Sequence, residues 1–156
     1  MGGGGSKVNL SGTASLPAGN YGQLTVGPNA DVTLTGGAYN FGGIEVKPGA
    51  TVRFAAASTV GVSGRVLVGN GSTFAPATGV QAHDVVLYGA GVDGPPNKPG
   101  DAIAIGSNVT LGLNAYAANG TLSLGSYTVG TGAYVGKRVA VGGNVTLNED
   151  SAFLSP

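Results

Sequence analysis

A chain of 156 residues with 31 glycines, eight prolines and 9% charged residues summing to zero net charge has the length of one domain. The absence of cysteine and the single histidine exclude thiol chemistry, disulfides, cysteine-ligated zinc and any two-histidine metal site. Seven basic against seven acidic residues give no electrostatic footprint for nucleic acid, and no apolar run approaches the roughly 20 residues of a membrane span.

The first segment, Met1-Gly2-Gly3-Gly4-Gly5-Ser6, reads as a flexible linker and sets the domain at residues 7–156. Beyond it, β-rich triplets recur. They are Val8-Asn9-Leu10, Leu24-Thr25-Val26, Ile44-Glu45-Val46, Val66-Leu67-Val68, Val85-Val86-Leu87, Ile103-Ala104-Ile105, Leu122-Ser123-Leu124 and Val139-Ala140-Val141. Their first residues are 16, 20, 22, 19, 18, 19 and 17 apart. A period near 19 marks a solenoid, in which one small unit stacks on the next. Regular Val, Ile and Leu of this kind exclude a disordered glycine-rich chain, and the lack of a Gly-X-Y period excludes collagen.

A second strand follows the first at a nearly fixed offset: Val32-Thr33-Leu34, Val52-Arg53-Phe54, Ser72-Thr73-Phe74, Val109-Thr110-Leu111 and Val145-Thr146-Leu147. A third completes the turn at Tyr39-Asn40-Phe41, Val60-Gly61-Val62, Ala115-Tyr116 and Ala133-Tyr134-Val135. The outer residues of each triplet are apolar and the middle one is often polar, which is the alternation of a strand with one buried face. Gly or Pro interrupts every helical window. Val46, Val68, Leu124 and Val141 are therefore expected to be buried. The corners Gly27-Pro28-Asn29-Ala30, Lys47-Pro48-Gly49-Ala50, Gly106-Ser107-Asn108 and Gly142-Gly143-Asn144 are equivalent. Pro presets φ there, and Asn or Gly then accepts φ > 0. The expected fold is an all-β, right-handed parallel β-helix of seven or eight rungs with three short strands each.

The rung opened by Val85 departs from this pattern. Its second strand is missing, and residues 89–101, with Pro95, Pro96 and Pro99, are expected to loop out of the ladder.

The stretch Tyr116-Ala117-Ala118-Asn119-Gly120, followed by Gly132-Ala133-Tyr134-Val135-Gly136-Lys137 and by Asp150 after the last strand, carries a resemblance. It resembles the closing rungs of β-solenoid modules in bacterial surface and pilus-associated proteins. Those have a Tyr-Ala-Pro-Asn opening, so Ala118 stands where they carry Pro. The resemblance implies an extracellular or cell-surface, structural or adhesive protein, and it brings no catalytic residue or cofactor.

The candidate sites are few. Asp93, Asn97 and Asp101 are oxygen donors in the looped segment and offer a calcium or glycan site, with Lys98 among them. Polysaccharide lyases built on β-helices use clustered acids with a basic residue, so a carbohydrate-binding or carbohydrate-active domain is the alternative reading. The carboxylates Asp31, Glu45, Asp84, Asp93, Asp101, Glu149 and Asp150, however, show no stacking from rung to rung. His83-Asp84 resembles a base and its orienting acid, but adjacent strand residues point to opposite faces, and a capped turn explains the pair. Thr33-Leu34-Thr35 suggests an ice-binding threonine ladder that Arg53 and Asn148 interrupt, and the six tyrosines vary in offset within the rung.

The leading expectation is a non-enzymatic module whose two ends carry unpaired strand edges, Val8 and Leu10 at one and Val145 and Leu147 at the other. Its partner is then a second copy stacked end to end, another surface protein or a glycan. Lys7 beside the first rung and Glu149-Asp150 beside the last give the ends opposite charge in this reading.

Overall fold

Alternation of apolar and polar residues over three to five positions, broken by Gly, Pro and Asn, forces the chain into short strands that turn sharply and stack. The computed structural model describes residues 5–94 and 100–149 and shows a β-solenoid of seven turns. The first turn comprises β1 (Val8–Leu10), β2 (Thr13–Leu16) and β3 (Gly19–Asn20). The second has β4 (Gln23–Val26), β5 (Asp31–Leu34) and β6 (Gly37–Phe41), and the third β7 (Gly43–Val46), β8 (Thr51–Phe54) and β9 (Ser58–Val62). The fourth has β10 (Val66–Val68), β11 (Thr73–Pro76) and β12 (Val85–Gly89). β13 (Ile103–Ile105) and β14 (Thr110–Gly112) open the fifth turn. The long β15 (Asn114–Leu124) closes it and rounds the corner into the sixth. β16 (Val129–Thr131), β17 (Tyr134–Val141) and β18 (Thr146–Asn148) complete the sixth and make up the described part of the seventh.

Every strand pairs in parallel with its counterparts in the neighbouring turns. The second face is a seven-stranded sheet, and the first and third faces join through β15 and β17 into one eleven-stranded sheet. Register is strict, so inward residues form columns. Leu24, Ile44, Val66, Ile103 and Leu122 make one; Val26, Val46, Val68, Ile105 and Leu124 make the next; all are at most 6% exposed. Each such side chain removed from water contributes about 1.5–3 kcal/mol. Phe54 packs edge-on to Phe74 on the second face, and Tyr39, 1% exposed, stacks on Phe41 on the third. The Tyr39 hydroxyl donates to the Leu16 carbonyl at 2.9 Å and accepts from the Gly36 amide at 3.1 Å, so its burial leaves no polar atom unpaired.

The corner between the first and second faces repeats as the sequence predicts. Gly12, Asn29, Gly49, Gly71, Asn108, Tyr127 and Asn144 occupy it in successive turns, all with φ between 56° and 76°. From Asn29 to Tyr127 the amides of these residues bond to the next turn's corner, as in Gly49 to Asn70 O at 3.0 Å and Tyr127 to Gly143 O at 2.9 Å. From the second turn on, the residue after each points inward. Where that residue is polar, the corner satisfies it: Ser72 Oγ donates to Lys47 O and Thr128 Oγ1 to Gly106 O.

Three expectations need correction. Val85–Leu87 is not a first-face strand: Val85–Gly89 pairs with β9 and β15 on the third face. The fourth turn therefore runs 37 residues from Val66 to Ile103, its second strand is β11, and the first-face triplets number seven. Gly89 is still in the ladder, and the Ala90 amide bonds to Val62 O, so the excursion starts after residue 90. Val141 is 53% exposed, because among the described residues nothing stacks on the seventh turn.

Candidate functional site

The looped segment is built around Asp93. Its Oδ1 accepts from the Thr121 amide at 2.7 Å and from the Ala102 amide at 3.1 Å, and its Oδ2 accepts from Thr121 Oγ1 at 2.8 Å. Thr121 lies where the pairing of β15 with β17 shifts register, so the carboxylate takes up donors at an irregular point of the ladder. These bonds, first the Thr121 amide and then its hydroxyl, hold the Asp93 carboxyl below the usual carboxylate range, with a smaller push from Arg138. The Gly94 amide donates to Gly100 O at 2.7 Å and closes the neck of the loop, while Asn119 Nδ2 donates to Ala90 O. Asp93 is thus a brace between the loop and the fifth and sixth turns. Asp101 lies at the foot of the same loop, and Asn97 falls outside the described residues. Among the described residues no group of three or more His, Asp or Glu side chains converges on a point where a metal could sit.

Three other carboxylates have local partners. Asp31 accepts from Arg53 Nη1 across one rung at 2.8 and 3.1 Å, and Glu45 pairs with Lys47 at 2.5 Å. His83 and Asp84 sit in a single 3-10 turn, Ala82–Asp84, leading into β12. Asp84 Oδ2 accepts from the Gln81 amide at 3.0 Å, the capped-turn role, and His83 Nε2 lies 3.5 Å from Asp84 Oδ1.

Register sorts the threonines into two outward columns on the second face. One reads Thr13, Asp31, Thr51, Thr73, Thr110, Val129, Thr146; in the other, Thr33 aligns with Arg53, and Thr131 with Asn148. Thr110 and Thr146 therefore do not share a row with Thr33. The three-rung run Thr51, Thr73, Thr110 ends at Asp31 on one side and at Val129 on the other, so neither column is unbroken.

On the third face an outward column runs Asn20, Asn40, Gly61, Tyr88, Tyr116, Val135. Tyr88 and Tyr116 stack at 5.3 Å with rings 19° apart, and Asn40 Nδ2 donates to Asn20 Oδ1 at 2.8 Å. Sequence offsets concealed this alignment.

The two ends differ. Val8 and Leu10 are half-buried, and the incoming chain extends the corner between the third and first faces, with the Gly22 amide donating to Ser6 O at 2.9 Å. At the far end Val139 is 45%, Val141 53% and Leu147 47% exposed, and Val145 is half-buried. The last turn carries exposed Lys137 and Arg138 as well as exposed Glu149, so opposite charge does not distinguish the ends.

Comparison with protein-family models, with curated proteins and with solved structures finds no match for this chain.

Proposed function

We propose that this chain is a non-enzymatic structural module that joins end to end with copies of itself. The observation that carries the reading is the exposure of inward-facing residues in the last turn. Val139 and Val141 continue the columns of Leu122 and Leu124, which are 0% and 2% exposed, yet they are themselves about half uncovered. Val8 and Leu10 open those same two columns at the other end. Stacking the first turn of one molecule on the last turn of another would set Val8 over Val139 and Leu10 over Val141. It would also extend the backbone ladder at its own ~4.8 Å spacing. Such a head-to-tail contact does not close on itself and builds an open filament. The resemblance of Tyr116–Asp150 to modules of bacterial surface and pilus-associated proteins fits a load-bearing or adhesive role outside the cell.

The test is sedimentation velocity over a concentration series, with negative-stain imaging of the most concentrated sample. Association that rises with concentration and disappears in Val141→Lys supports the reading. A monomer at every concentration overturns it. So does a protein that associates only once residues 150–156 are removed, since the cover of this end would then be the chain's own.

A further inference from the structure

The outward column of the third face has one gap, and it lies between two different kinds of surface. Asn40 is on one side, Tyr88 on the other, and Gly61 between them contributes no side chain. Two strand spacings, roughly 10 Å, therefore separate Asn40 from Tyr88 along the column. The result is a cleft of about 240 Å³ lined by Asn40, Phe41, Gly61, Ser63, Tyr88 and Ala90, together with Val62.

Each wall is already oriented. Tyr116 covers one face of the Tyr88 ring, which leaves the other face looking along the column over Gly61, and Tyr88 is 51% exposed. The Asn40 amide is turned by its bond to Asn20, which uses the Nδ2 donor. Its Oδ1 lies over Gly61, where a Cβ would come within 2.9 Å of it, and it accepts no hydrogen bond from the described residues. The cleft thus presents a flat aromatic face, a carbonyl acceptor opposite it and the Ser63 hydroxyl beside it, with no charged side chain among the described residues of its lining.

We infer that this cleft binds one pyranose unit of a neutral polysaccharide. A sugar ring has an apolar face of C–H groups that stacks on an aromatic ring, and equatorial hydroxyls at its rim that donate to an acceptor such as an amide oxygen. Tyr88 supplies the first surface and Asn40 Oδ1 the second. No charged side chain among the described lining residues is there to pair with a uronate or sulfate, so the cleft's polar contacts suit a neutral sugar. The cleft is open to solvent along the third face, so a chain can pass through it and bind without a free end. This inference rests on the third face and is independent of what happens at the ends of the rod.

The test is NMR titration of the intact protein with cellohexaose and, separately, chitohexaose. Saturable shifts at Tyr88, Tyr116 and the Asn40 side-chain amide with either sugar, at a dissociation constant in the roughly millimolar range of a single open subsite, are expected. Tyr88→Ala should weaken binding at least about tenfold while leaving the remaining amide spectrum in place. Tyr127→Asn, which alters an exposed tyrosine at a distant corner, should leave binding unchanged. No shift with either sugar overturns the inference. Binding that survives Tyr88→Ala, or shifts centred on Asp93 and Asp101 in place of the cleft, does so as well.

Discussion

The sixth and seventh turns of the solenoid share their columns, their backbone path and most of their chemistry, yet one is core and the other is surface. Leu122 is fully buried, whereas Val139, its register partner one turn on, is 45% exposed; Leu124 is 2% exposed and Val141 53%. The difference is position alone. In a stack each turn covers only half of its neighbour's inward side chains, so a residue becomes core when turns lie on both sides of it. The first turn escapes this in part, since Leu16 is only 7% exposed and Ser6 continues a corner beneath Gly22.

The largest test of that contrast is a matched truncation. Leu122→Ala should cost about 2–5 kcal/mol, because turns on both sides prevent collapse of the cavity it leaves. Val139→Ala, in the same column, should cost well under about 1 kcal/mol, since half of the side chain is already in water. Urea denaturation of the two variants measures both. Equal losses would mean that the seventh turn is covered in solution.

Much of the fold is legible in the chain because its signals are local. Alternation over three residues identifies strands such as Leu24–Val26, and Pro-Asn or Pro-Gly identifies the left-handed corner at Asn29 and Gly49. Which face a strand occupies is not a local property. Val85-Val86-Leu87 has the same pattern as Val66-Leu67-Val68, and the fourth turn's 37 residues are about twice the period, so its third strand imitates an additional turn. The same long turn hides the third-face column, since Gly61 and Tyr88 are 27 residues apart while Tyr88 and Tyr116 are 28 apart. Asp93 stands out in the sequence as an acid in a proline-rich loop. Its role depends on Thr121, far along the chain, and that pairing is visible only in three dimensions.

Asp93 tests whether the fifth and sixth turns are held by more than their core. Its folded carboxyl titrates below its unfolded value, which is about 3.9 for aspartate. The charged form is therefore favoured by folding. The contribution is complete above the unfolded value and is lost as pH falls through the folded one. Asp93→Asn should flatten the acid limb of a thermal-stability profile below about pH 4 and lower stability at pH 7. A variant whose profile overlays the parent's would show that the brace carries no stability.

Val141→Lys sharpens the contrast from the other side. The long stem of lysine lies along the open end while its ammonium reaches water, so the monomer's stability should stay within about 0.5 kcal/mol of the parent. The charge would have to be buried if a second molecule stacked there, so association should fall steeply. Thermal melts of the dilute variant, set beside its sedimentation profile, separate the two effects.

The smallest expected effect concerns the corner that links these two turns. Six of the seven left-handed positions hold Gly or Asn, the residues that adopt φ > 0 at least cost, and the sixth turn holds Tyr127 at φ 61°. An aromatic side chain gains nothing there from burial, as Tyr127 is 60% exposed. Its amide nevertheless bonds to Gly143 O at 2.9 Å, the same bond that Gly and Asn make at this corner in earlier turns, so the backbone is held in place whichever side chain is present. Tyr127→Asn keeps that bond and puts in place of the ring a short polar side chain that hydrogen-bonds locally and so tolerates the left-handed region at lower cost. It should stabilise the protein by up to about 1 kcal/mol, read as a rise of roughly 2–4 °C in the melting temperature. Tyr127→Val, which adds β-branching at a positive φ, should move it the opposite way. If both variants melt with the parent, the seventh turn frays before the rest, and the corner's strain is released before the cooperative transition is reached.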